Sequence, residues 1–90
     1  MKREEILEKA KQVITGKRKQ NYGKPENNFQ EIAKLWNAYF GCTSISPKDV
    51  ACMLILLKIA RTKGNEKYED NYIDICGYAA CAGEIVTDEQ

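Results

Sequence analysis

Eight consecutive apolar residues, Val50 to Leu57, constrain this chain more than any other feature. Ser46-Pro47-Lys48-Asp49 stands just ahead of them. A serine before a helix accepts from its free N–H groups, proline suits the first helical position, and an acid three residues after the serine completes a capping box. The spacing predicts a helix that starts at Pro47 and ends near Lys63-Gly64. A helix that is apolar all round is central to its core, or is shared between the core and a partner chain. Eight apolar residues are far too few to span a membrane.

Three further helices are predicted around it. The first runs from about Lys2 to Thr15, with Ile6, Ala10, Val13 and Ile14 at helical spacing and Leu7 beside them. Glu4 and Glu5 suit its positive end, and Gly16 reads as its stop. The second opens at Pro25, has an apolar and aromatic face of Phe29, Ile32, Ala33, Trp36, Tyr39 and Phe40, and ends at Gly41. The last spans about Tyr68 to Val86 and is rich in small residues. Gly77 and Gly83 inside it each cost roughly 1 kcal/mol against alanine, and close approach of another helix would offset that cost. Between the first two helices, Lys17 to Lys24 has no apolar periodicity and reads as a loop. The expectation is one all-α domain of four helices over residues 1–90. So short a chain buries only roughly 60–65% of its unfolded surface, so completion by a homo-oligomer is expected.

The net charge of +1 argues against bulk nucleic-acid binding. Met1 leads into Lys2-Arg3-Glu4-Glu5, the start of a charged helix and not a signal peptide. Cytoplasmic location without a membrane partner is expected. The four cysteines, Cys42, Cys52, Cys76 and Cys81, show no C-x-x-C spacing, and there is no histidine. They read as small buried thiols in a reducing compartment. Without histidine no Ser–His or Cys–His dyad exists.

Three constellations carry chemistry. Asp70, Asp74, Gly77, Cys81 and Glu84 share one face of the last helix. Asp70 and Asp74, one turn apart, either share a Mg²⁺ or form salt bridges with Lys58 or Arg61. Lys58 and Arg61 either hold a phosphate or pair with those acids. The segment Lys17 to Phe29 surrounds Tyr22 with Lys17, Arg18, Lys19 and Lys24, just before a helix start that offers free N–H groups. It lacks the ending of a P-loop. Its Tyr22 either stacks on a base or plugs the core, and Asn27 and Asn28 offer amides to a base or ribose.

Tyr22-Gly23-Lys24-Pro25-Glu26-Asn27-Asn28-Phe29 resembles a Tyr-Gly-x-Pro-x-x-Asn-Phe signature of small phage and prophage proteins. Asp49-Val50-Ala51, Leu57 to Arg61, Asp70 to Asp74 and Gly77 to Ala80 add to that resemblance, which covers nearly the whole chain. More distantly, Lys58-x-x-Arg61 on one helix and Asp70-x-x-x-Asp74 with Gly77-Tyr78 on the next resemble the MazG-like all-α nucleotide pyrophosphohydrolases. Those are oligomeric bundles that bind Mg²⁺ through a Glu-x-x-Glu and a Glu-x-x-Asp. Here the corresponding residues are Asp49-x-x-Cys52 and Asn71-x-x-Asp74, so two of four carboxylates are absent. Two-metal phosphate chemistry needs several anions.

The resemblance therefore implies nucleotide binding more than hydrolysis. The expected ligand-binding residues are Arg18, Tyr22, Gly23, Asn28, Trp36, Lys58 and Arg61, with Asp70 and Asp74 as the metal candidates and no cofactor required. The leading expectation is a phage-type protein that holds a phosphorylated nucleotide, such as a cyclic one, without turnover, and so sequesters a host defence signal. One alternative is a Mg²⁺-dependent pyrophosphohydrolase using Asp49, Asp70, Asp74 and either Glu69 or Glu84. The other is a host-protein interaction module.

Overall fold

A computed structural model describes residues 1–16 and 25–88 of the chain, with the side chains of 25–27 outside that description. Among the described residues there are four helices and no strand: α1 (Arg3–Thr15), α2 (Pro25–Phe40), α3 (Pro47–Gly64) and α4 (Glu69–Thr87). The fold is all-α, as the periodicity predicts. None of these helices is long and apolar enough to cross a membrane.

Local chemistry sets the ends. Ser46 Oγ accepts from the Asp49 N–H at 3.1 Å, and Asp49 Oδ2 accepts from the Ser46 N–H at 2.9 Å. That is the reciprocal pair expected of a capping box, with Pro47 in the first turn. Gly41 ends α2 at φ 67°, a left-handed conformation that glycine adopts without the Cβ penalty. The turn that follows is held by Asn37. Its amide nitrogen donates to the Ile45 carbonyl and its amide oxygen accepts from the Ile45 N–H, both at 3.0 Å.

Helices α3 and α4 form the most extensive contact, an αα-hairpin joined by residues 65–68. So short a connection makes the two antiparallel. Helix α2 lies against α3 and touches α4, whereas among the described helices α1 packs on α4. The core is built from Phe29 and Ala33 of α2, Val50 and Ala51 of α3 and Cys81 of α4, with Leu54, Tyr78, Ala82 and Ile85 packed on it. Ala10 and Ile73 are buried as well. A Cβ added to Gly77 would stand 3.2 Å from Ile14 Cγ2, so glycine there admits α1 at close range. Gly83 differs from expectation: nothing lies within 4 Å of its added Cβ, and no described helix offsets its cost.

Of the apolar run in α3, Val50 and Ala51 are buried in the core formed with α2 and α4, whereas Met53, Leu56 and Leu57 are exposed. One other expectation is corrected: of the four cysteines read as buried thiols only Cys81 is buried, whereas Cys42 and Cys76 are half-buried and Cys52 is exposed on α3.

Candidate functional site

The core-facing stripe of α3 passes through Val50, Ala51 and Leu54 and reaches Lys58 at the next turn. A lysine on such a stripe needs a counter-charge, and the hairpin supplies one. Lys58 Nζ lies 2.7 Å from Asp74 Oδ2, with side chains only 15% and 26% exposed. Of the pairings open to Asp70, Asp74, Lys58 and Arg61, the structure makes this one. Arg61, one turn on, is exposed and has no ion pair among the described residues.

Asp70 goes elsewhere. Its Oδ2 accepts from the Tyr68 hydroxyl at 3.0 Å. That bond, with the charge of the same carboxylate, raises the Tyr68 pKa above the ordinary tyrosine value. The acids proposed as a ridge on α4 therefore part: Asp74 faces α3, while Asp70 and Glu84 are exposed. Among the described residues no three Cys, Asp or Glu side chains gather in a way that could hold a metal ion. Glu69 lies 4.0 Å from Lys9 of α1. Asp49 is engaged in the α3 cap, and the bonds from Ser46, backbone first, hold its carboxyl below the ordinary aspartate value. Lys58 is nine positions further on, about 13.5 Å along a helix axis.

The start of α2 meets the same face of α4. The Phe29 and Tyr78 rings stand 6.3 Å apart at 52°. Asn71, Asp74 and Tyr78 recur at i, i+3 and i+7, so they line one face of α4 in successive turns. The end of the Tyr-Gly-x-Pro-x-x-Asn-Phe segment thus approaches the turn of α4 that follows Asp74. Asn28, in that segment, is half-buried. Arg18, Tyr22 and Gly23 lie outside the described residues. Trp36 is placed differently: it sits two turns beyond Asn28 on α2 and packs on the core.

Comparison with known proteins now has a fold to refer to. A family described as Domain of unknown function (DUF6378) matches residues 5–86, from α1 to the end of α4. The chain belongs to this family. It is similar to the Gene 55 protein of Mycobacterium phage D29, at 46% identity over 82 residues that make up 91% of this chain and 54% of that protein. The Gene 55 protein of Mycobacterium phage L5 is 47% identical over 74 residues, 82% of this chain and 47% of that protein. The chain spans about half the length of these curated relatives. No solved structure matches it. The resemblance to phage proteins therefore holds at the level of family.

One residue of this DUF6378 chain escaped the reading of charged and aromatic side chains. Asn71 is the buried polar residue of the described core, 3% exposed, one turn before Asp74. Its only sequence signal was its spacing from Asp74. Nothing in an isolated asparagine marks it as buried.

Proposed function

We propose that this chain binds a phosphorylated nucleotide and does not turn it over. The observation that carries the reading is Lys58: a cation on a core-facing stripe, oriented by Asp74 at 2.7 Å, beside the face that receives the start of α2. A cation fixed by a carboxylate is pre-organised to hold a phosphate oxygen. Arg61, one turn away and without a described ion pair, adds two parallel donors. Arg18, Tyr22, Gly23 and Asn28 belong to the same proposal through their place in the segment that enters α2. A MazG-like relationship is part of it too. Binding is favoured over hydrolysis because Asp49 serves the α3 cap and Asp70 takes the Tyr68 hydroxyl. With relatives among phage proteins, the role proposed is sequestering a host signalling nucleotide, such as a cyclic one, in the host cytoplasm.

Homo-oligomerisation is the second part of the reading. Met53, Leu56, Leu57 and Ile59 on the outer side of α3 are exposed and suit a second copy.

The test is incubation with mono-, di- and triphosphates and cyclic nucleotides, with and without Mg²⁺, followed by analysis before and after heat denaturation. Intact nucleotide released by heat is the expected result. Monophosphate formed from triphosphate would make the chain a pyrophosphohydrolase. Retention of nothing would overturn the proposal in favour of an interaction module.

A further inference from the structure

We infer that two copies of this chain pair antiparallel through the outer face of α3, about a two-fold axis at Leu56; this specifies the oligomer reading above and rests on it. Cys52, Met53, Leu56, Ile59 and Ala60 are exposed and recur at helical spacing. They form one stripe on the side of α3 away from Val50, Ala51 and Leu54, which face the core. The stripe carries no charge along its length. It is bounded by Asp49 and by Lys63, each seven residues from Leu56 and on the same face of the helix. Lys58 and Arg61 lie on the other side, where Lys58 meets Asp74.

This stripe complements itself when one copy is reversed. Antiparallel copies centred on Leu56 set Met53 against Ile59, Cys52 against Ala60 and Asp49 against Lys63, twice over. That is the pattern an isologous interface needs, because one patch must meet itself. The charges select the direction. Asp49 is held ionised by the α3 cap and by Lys48, 3.3 Å from its Oδ1, and its side chain is still 39% exposed. Lys63 is exposed and has no ion pair among the described residues. Reversal gives each Lys63 a carboxylate and sets the negative end of each helix dipole beside the positive end of the other. A parallel pair in the same register would put acid on acid and cation on cation, which is destabilising. A host protein would place no such symmetry on the stripe, so the occupant is a second copy.

Cross-linking reads the direction. A residue on the two-fold axis faces its own copy, within the roughly 4.4–6.8 Å between Cα atoms that a disulfide needs. Copies of Cys52 would stand eight residues apart along the pair, about 12 Å, which is too far. Wild type, Cys52→Ser and Cys52→Ser/Leu56→Cys are oxidised mildly and run on non-reducing gels, with Cys52→Ser setting the background from the other cysteines. The expected result is a covalent dimer of Cys52→Ser/Leu56→Cys alone. Lys63→Glu, which leaves the apolar stripe untouched, should raise the dimer Kd by about tenfold in sedimentation equilibrium, since both end contacts become repulsive. Its circular dichroism spectrum should match that of the wild type. A wild-type dimer linked through Cys52 would mean parallel pairing and overturn this arrangement while leaving the oligomer reading intact. So would an oligomer that neither links through position 56 nor responds to Lys63→Glu. A wild type that is monomeric at micromolar concentration would overturn both.

Discussion

Replacing Asp74 by asparagine removes the counter-charge from a lysine that has little water of its own. Exposed ion pairs contribute about 0–1 kcal/mol, and breaking a fully buried pair costs about 3–5 kcal/mol. With side chains 15% and 26% exposed and a 2.7 Å contact, Lys58–Asp74 lies between these limits. Asp74→Asn should therefore destabilise the fold by about 2 kcal/mol. In a domain of this size that lowers Tm by roughly 8–16 °C. Lys58→Met should cost less, because the carboxylate it leaves behind is the more exposed partner. The double variant Lys58→Met/Asp74→Leu should return to within about 1 kcal/mol of the wild type, since removing both charges removes both desolvation costs. Thermal and urea unfolding followed by circular dichroism measures all four proteins. Function separates differently: Lys58→Met should lose nucleotide retention, while Asp74→Asn keeps the cation and should lose less. An Asp74→Asn chain as stable as the wild type, or a double variant no better than Asp74→Asn, would refute the account of the pair.

Other perturbations test the frame. Ser46→Ala should cost about 1 kcal/mol through loss of the α3 cap, read by urea unfolding. Asp49 has its pKa lowered in the fold, so its contribution is complete above the ordinary aspartate range and is lost as pH falls below it; Asp49→Asn should flatten that acid limb of a Tm-against-pH curve. Gly77→Leu should destabilise by roughly 1–3 kcal/mol by pushing α1 away, whereas Gly83→Ala, with open space around its Cβ, should stabilise slightly, both visible in Tm. Leu56→Glu should dissociate the oligomer without unfolding the chain; light scattering that finds the wild type already monomeric at micromolar concentration would remove that part of the proposal.

The helices themselves were legible in the sequence because their ends are written in local chemistry. Pro25 and Pro47 start α2 and α3, Ser46 and Asp49 cap α3, and Gly16 and Gly41 follow the last turns of α1 and α2. Each of these effects acts within about four residues, so no knowledge of distant contacts was needed. Partner choice is different. Lys58 was equally able to meet Asp70 or Asp74 by type and spacing, and only the register of the α3–α4 hairpin selected Asp74. That register left Asp70 to the Tyr68 hydroxyl and placed Asn71 out of water beside it. Likewise the run Val50 to Leu57 specified a helix with apolar residues on every side, but not which side the chain itself would cover. Coverage depends on how many neighbours reach the helix, a long-range property, and here α2 and α4 bury Val50 and Ala51 while Leu56 and Leu57 face outward.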